Sequence, residues 1–370
     1  MYIITNRNFR KYRNSDLYTL TDDPNPNGSK ELRLFEATPR DAAGGKWDIH
    51  IIPDRPEEAE FEGLDTDFIR PWNRRRVGSD LVAARLIPKL RESGRNLVLF
   101  IHGYNTTIED ALNRARRMEQ VYDVEVLVFS WPSNGGGDSA LEELHGVASY
   151  LSDKSDARES VGALDRALWR MNALLQDLNA GVFDAARDHA RASRPDSRDE
   201  ERRLLANYLR EHACPFNISL IAHSMGNYLY KKLLTSSSER LSCACTFDNV
   251  ILKAADTNHH DHAEWVQRIR ARKRVYILIN QDDSALGLSN LKIGEAQKPR
   301  LGATIAQQNA HNAAYIDLTG TLDREHSYFD NQDTKRTVPN LEPVMRELLN
   351  GRIAHRDLPY EVGTNTYRLD

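Results

Sequence analysis

Residues 219–227 read SLIAHSMGN and continue an apolar run that begins at Ile218. Ser224 stands between His223 and Met225, with small residues at Ala222 and Gly226. The next segment, NYLYKKLL (227–234), has the pattern of a helix. A strand, then small-x-Ser-x-small, then a helix describes a sharp turn that lifts a nucleophilic hydroxyl above the end of a sheet. Bulk at Ala222 or Gly226 would clash with the adjoining strand and helix. A serine at such a helix start also meets unpaired N–H groups and a dipole that favour developing negative charge. The plainer reading is a loop serine without chemistry, and the rest of the chain has to separate the two.

Working outward, the runs NLVLFI (96–101), VEVLVFSW (124–131), ISLIA (218–222), NVILKA (249–254), RVYILI (274–279) and AYIDL (314–318) are short and continuously apolar. They suit strands buried on both faces of a parallel sheet. Helical patterns alternate with them. Residues 107–122 have Thr106 or Thr107 as a cap and acids in the first turn, and AEWVQRIRARK (263–273) reads as a second helix. This alternation implies right-handed crossovers and an α/β fold with a doubly wound, mostly parallel sheet.

Two regions break the rhythm. In residues 1–95, YIIT, ELRLFEA and WDIHII read as antiparallel strands at the leading edge, with NPNGS as the turn between the first two. SDLVAARLIPKLRES (79–93) reads as a helix that begins late or kinks at Pro88. Residues 135–213 read as a helical insertion that opens on GGG. Val161, Leu164, Leu168, Met171, Leu175 and Leu178 share one helical face, and a charged, strand-free stretch follows. Leaving the carboxyl end of a strand, the insertion is either a lid or an ordinary crossover with a charged loop. The expected division is 1–95 as strands and leading helix, 96–350 as the core with its insertion, and 351–370 as a tail.

Composition bounds the function. Of 370 residues 40% are hydrophobic and 28% charged, enough for a buried core. A net charge of −4 argues against a dedicated nucleic-acid binder, and the basic clusters at 70–76 and 268–274 read as solvated faces. No stretch reaches the roughly 18 apolar residues of a membrane span. The start MYIITNRNFRKYRN becomes charged too soon for a signal peptide, which points to the cytoplasm. Cys214, Cys243 and Cys245 lack disulfide or CxxC spacing and read as structural thiols. No dinucleotide or phosphate-loop motif occurs, so no cofactor is expected. The histidines of NHHDHAEW (258–265) read as a polar loop rather than a metal site, since adjacent histidines rarely point the same way.

FIHGYN (100–105) ends the first parallel run in a turn that can aim N–H groups at the serine. The Tyr104 and Met225 N–H groups would then form a two-donor oxyanion hole. FIHGYN, FSWPS, AHSMGN, a later DxAL and a final HSYF, in that order, resemble the α/β-hydrolase superfamily. More narrowly they resemble a poorly characterised bacterial branch of predicted serine hydrolases. The resemblance covers about residues 96–330, the helical insertion only loosely and the first 95 residues not at all, and has Ala222 where the motif usually has glycine. It implies an eight-stranded, mostly parallel sheet and a catalytic serine, acid and histidine in that chain order. Family DxAL maps onto Asp283-Ser284-Ala285-Leu286, making Asp283 the acid, with Asp256 of LKAADTN the alternative. HSYF maps onto His326 as base, a histidine whose ordinary pKa of about 6.5 suits proton transfer.

His102 and His223 flank the motifs and read as groups packed or hydrogen-bonded beneath the site, and with them Tyr104, Trp131, Tyr328 and Phe329 are candidates for a pocket wall or, singly, for core. The implied activity is cleavage of a carboxylic ester, esterase or lipase-like, on a small-molecule or lipid substrate. The alternative is an effector or interaction module on the same fold, its site silent until a protein partner binds through the N-terminal region or the insertion.

Overall fold

Each of the six apolar runs forms a strand. The computed structural model describes residues 1–41, 45–66, 75–133, 142–193, 197–212, 216–236, 247–289, 299–334 and 337–369, with backbone alone at 142–148 and 209–212. In chain order, β1 (Tyr2–Thr5), β2 (Arg7–Lys11), β3 (Tyr18–Pro24), β4 (Arg33–Pro39) and β5 (Trp47–Ile52) precede α1 (Gly78–Ser93). Then come β6 (Asn96–Ile101), α2 (Ile108–Tyr122), β7 (Val124–Ser130), α3 (Glu142–Glu159), α4 (Val161–Ala192), α5 (Arg198–His212), β8 (Ile218–His223) and α6 (Met225–Ser236). They are followed by β9 (Phe247–Lys253), α7 (His262–Val266), β10 (Ala271–Ile279), α8 (Ser284–Ser289), β11 (Ala313–Asp317), α9 (Leu341–Leu349), β12 (Tyr360–Glu361) and β13 (Thr366–Arg368). All three cysteines, the GGG segment and most of the basic cluster at 70–76 lie outside the described residues.

The chain forms two compact units. One comprises Met1–Ile51, Asn96–Ala167 and Asn217–Asp370, and the other Ile52–Arg95 and Leu168–Phe216. In the first unit, the described residues form an eleven-stranded sheet in the order β12-β13-β11-β10-β9-β8-β6-β7-β1-β4-β5. That is three strands more than the resemblance implies. Its centre, β7-β6-β8-β9-β10-β11, is parallel throughout. Every residue of β6, β7, β8, β9 and β11 is buried, which is why these strands read as continuous apolar runs. Val98, Phe100, Val126, Val128, Ile221, Ile251, Tyr276 and Ile316 share a core with Ala111, Leu112 and Met118 of α2 and Val344, Met345 and Leu348 of α9. Thr107 caps α2 by accepting the Asp110 N–H at 3.1 Å.

Several expectations need correction. YIIT is not part of a purely antiparallel edge: β1 pairs parallel with β7 and antiparallel with β4. A hairpin of β2 and β3 intervenes between β1 and β4, so NPNGS follows β3 instead of joining the first two runs. The helix expected over 263–273 stops at Val266, because the polar-alternating RARKR joins β10, whose Ala271 pairs with Phe247 of β9. Ladder pairing with a buried strand overrides the local helical pattern. Residues 360–361 and 366–368, read as part of a tail, form β12 and β13, and β13 lies parallel to β11.

In the second unit, α1 starts at Gly78 and runs through Pro88 without ending there. The proline removes one helical bond at a cost of about 3 kcal/mol. Buried Leu81, Leu86, Ile87 and Leu90 outweigh it, at roughly 1.5–3 kcal/mol per side chain. Asp80 caps the helix by accepting the Val77 N–H at 2.9 Å and also pairs with Arg170 of α4. The charged stretch after residue 186 is largely helical, split between the end of α4 and the start of α5.

Candidate active site

All the candidate site residues lie in the first unit, at the carboxyl ends of β6, β7, β8, β9, β10 and in the segment after β11. Ser224 occupies the single position between β8 and α6, with φ at +52° in the left-handed region. A non-glycine residue there costs on the order of 1–3 kcal/mol and persists only where its surroundings enforce it. The enforcement is visible. Ser224 N–H donates to Lys253 O at 3.1 Å, and its carbonyl accepts from Asp256 N–H at 3.2 Å. Asn227 Nδ2 donates to the carbonyls of Ala222 (2.9 Å), Ser224 (3.2 Å) and Lys253 (3.0 Å), clamping the turn from inside. A Cβ on Gly226 would stand 2.6 Å from His102 O and 2.8 Å from Ile101 O, so the space there is closed by β6 backbone. One on Gly103 would stand 2.8 Å from Ser224 Cβ, which shows how closely the turn after β6 approaches the serine.

That turn carries Tyr104. Its hydroxyl donates to Ser149 of α3 at 3.2 Å, and the following Asn105 N–H donates to Asp153 at 3.1 Å. Met225 is the first residue of α6, where the N–H has no partner within the helix. Both expected oxyanion residues therefore adjoin Ser224, one by sequence and one through Gly103.

His326 and Asp283 meet. His326 Nδ1 lies 2.7 Å from Asp283 Oδ2. The other oxygen of Asp283 accepts the N–H groups of Ala285 and Leu286, both at 3.0 Å, at the start of α8. A carboxylate oxygen accepts here, so Nδ1 is the nitrogen that donates, and in the neutral tautomer with its proton on Nδ1 the other nitrogen, Nε2, is the acceptor. Asn280, at the end of β10, donates to the carbonyls of Asp323 (2.9 Å) and Glu325 (3.1 Å) and so ties the histidine segment to the acid's strand. The His326 ring lies 4.8 Å, centroid to centroid, from that of His223, the residue before the serine. Ser224 Oγ itself makes no hydrogen bond among the described residues.

Asp256 has other partners. Its carboxylate accepts from Tyr150 (3.0 Å) and Ser289 (2.7 Å) and pairs with Arg300 at 3.2 Å. It touches Ser224 only through its backbone N–H. Of the pocket candidates, His102, Trp131, His223, Tyr328 and Phe329 are all buried. Trp131 stacks on His102 with ring centroids 5.3 Å apart and donates to His102 O at 3.0 Å. Burial, with Arg7 nearby, pushes the His102 pKa down to about 3. Burial, with Lys253 nearby, pushes that of His223 well below its usual value. Both imidazoles are neutral at pH 7 and serve as packing and hydrogen-bonding groups.

Arg7, Asn227 and Asn280 escape the sequence reading as parts of the site. Arg7 is buried, with Nε donating to Ser130 (2.8 Å), one amino group to Thr106 O (2.8 Å) and the other paired with Asp22 at 2.5 Å. It thereby joins the loops after β6 and β7. Asn227 stands inside the quoted AHSMGN, and only a helix-start amide pointing backwards could have drawn notice. Nothing local marks Arg7 or Asn280.

In the 258–265 cluster, His262 spends both ring nitrogens on His259 O (2.8 Å) and the Tyr315 hydroxyl (2.7 Å). Among the described residues, no group of three or more His, Cys, Asp or Glu side chains could hold a metal ion. Among them, too, no helix is long and apolar enough to cross a membrane. Comparison with curated proteins and comparison with solved structures each found no match. Comparison with protein families matches residues 81–321 to one described as alpha/beta hydrolase of unknown function (DUF900). The match takes in β6 through β11, Ser224 and Asp283, and the chain belongs to this alpha/beta hydrolase family.

Proposed function

We propose that this protein is a serine hydrolase that cleaves a carboxylic ester, with Ser224 as nucleophile, His326 as base and Asp283 as the acid that orients it. The observation that carries the reading is the pairing of two unusual features in one place. A serine is held at positive φ at the mouth of a parallel sheet, and a histidine bonded to a buried carboxylate lies against its neighbour. Ser224 Oγ attacks the ester carbonyl while His326 Nε2 takes its proton. The Met225 and Tyr104 N–H groups receive the developing oxyanion, a contribution of about 2.7–4 kcal/mol per donor. Protonated His326 then hands its proton to the departing alcohol. Water, activated by the same imidazole, releases the acid and regenerates Ser224. The serine–histidine hydrogen bond is of the kind that is often long before substrate arrives.

Labelling with a fluorophosphonate probe tests the nucleophile before any substrate is known. Wild-type protein is expected to label, and Ser224→Ala and His326→Ala are expected not to. Unlabelled but folded wild-type protein would sink the reading.

A further inference from the structure

Lys253 ends β9 and is completely buried. An ammonium group buried without a carboxylate is costly, and a methionine would fill the same space without that cost. Asp283 and Asp333 influence Lys253 only through space, and neither forms an ion pair with it. Its Nζ instead donates to His326 O at 3.2 Å. The same Nζ lies 3.7 Å from the centre of the Tyr328 ring and 4.0 Å from that of Phe329. These are the residues two and three places beyond His326. Meanwhile the backbone carbonyl of Lys253 accepts from Ser224 N–H (3.1 Å) and Asn227 Nδ2 (3.0 Å). One residue thus grips the serine turn by its main chain and the histidine segment by its side chain.

We infer that Lys253 is a positioning residue that sets the distance between Ser224 and His326. The side chain reaches the base through the base's own carbonyl and the two aromatic rings that follow it. Burial and the nearby Arg114 draw the lysine's pKa well below its usual value, yet a neutral amine still donates to the His326 carbonyl. The far side of the segment is held separately. Arg114 donates to Ser327 at 3.3 Å and faces Phe329 at 4.9 Å, and the Tyr122 hydroxyl bonds Phe329 O. On the side that faces the serine, His223 Nε2 lies 3.3 Å from the same His326 carbonyl, so loss of Lys253 leaves that side with His223 in place of two holds.

The inference rests on Ser224 and His326 acting together, so its test has one readout that needs no activity. Lys253→Met removes the donor and keeps the volume. Lys253→Gln keeps a donor. Ring ¹⁵N signals of His326, identified by their absence in His326→Gln, report its setting. The rate of fluorophosphonate labelling reports its use. Lys253→Met is expected to melt at or above the wild-type temperature, to shift the His326 signals and to label about 10- to 100-fold more slowly, the scale of a misplacement near 1 Å. Lys253→Gln is expected to recover part of that rate. Wild-type labelling and unchanged His326 signals in Lys253→Met would overturn the inference. A fall in melting temperature large enough to explain the loss in both variants would also overturn it, making Lys253 a packing residue. Should wild-type protein not label at all, the hydrolase reading fails while the ¹⁵N signals still decide the lysine's role.

Discussion

At the scale of single residues, chemically similar groups are separated by their partners. Asp283 and Asp256 both follow sheet strands and both are buried, yet only Asp283 bonds His326. Asp256 belongs to an ion pair with Arg300. Asp283→Asn is expected to slow fluorophosphonate labelling about 10³- to 10⁴-fold, by presenting the wrong tautomer, with little change in melting temperature. Asp256→Asn is expected to do the reverse, destabilising by about 3–5 kcal/mol through an uncompensated buried arginine while the folded fraction still labels. The neutral His102 has a signature of its own. Its folded pKa of about 3 lies below the ordinary unfolded value of about 6.5, so the unfolded chain takes up its proton first as pH falls. The stabilisation is complete above pH 6.5 and drains away between about 6.5 and 3, by about 1.4 kcal/mol per unit. Urea unfolding at pH 7 and pH 5 should show a smaller loss for His102→Gln than for wild type. An equal loss would mean that His102 is not the neutral buried group described.

At the scale of the element, the β8–α6 turn is strained at one residue and braced at its neighbours. The two N–H donors of Asn227, shared among three carbonyls and worth about 1 kcal/mol each, are comparable with the cost of the left-handed Ser224. The turn leaves no room for a side chain at Gly226, where the obstruction is main chain and cannot rotate away. Gly226→Ala is expected to lower stability by about 2–4 kcal/mol, read from the urea midpoint. A neutral result would mean that α6 can slide off β6. Elements also show where local pattern loses. The 263–273 segment has helical spacing, but its second half has a strand to pair with. α1 carries a proline, but its buried leucines hold it together.

At the scale of the whole molecule, three of the N-terminal strands, β1, β4 and β5, are part of the main sheet. β1 covers the edge of β7, and Arg7 joins the loops that follow β6 and β7. Deleting residues 1–95 would expose β7, an apolar strand whose residues are all buried, along its full edge. The shortened chain is expected to aggregate on expression. A soluble, monomeric fragment that labels with fluorophosphonate would show that β7 tolerates an open edge.

Six central strands and the serine turn were legible in the sequence because each has a local cause, whereas Asp283 and His326 were named there through the DxAL and HSYF resemblance. Burial on both faces makes a strand apolar throughout, and a turn pressed against backbone demands small residues around its serine. The choice between Asp283 and Asp256 was not a local matter. Both follow strands, and only the path of the chain after β11 brings His326 to one and leaves Arg300 with the other. The parallel pairing of β1, the strand after Ile269 and the grip of Arg7, Asn280 and Lys253 depended in the same way on partners far along the chain. Sequence spacing determines which residues share a face of one element. Which faces meet is decided when the sheet assembles, since hydrogen bonds and burial there are made between segments whose separation in the chain carries no local mark.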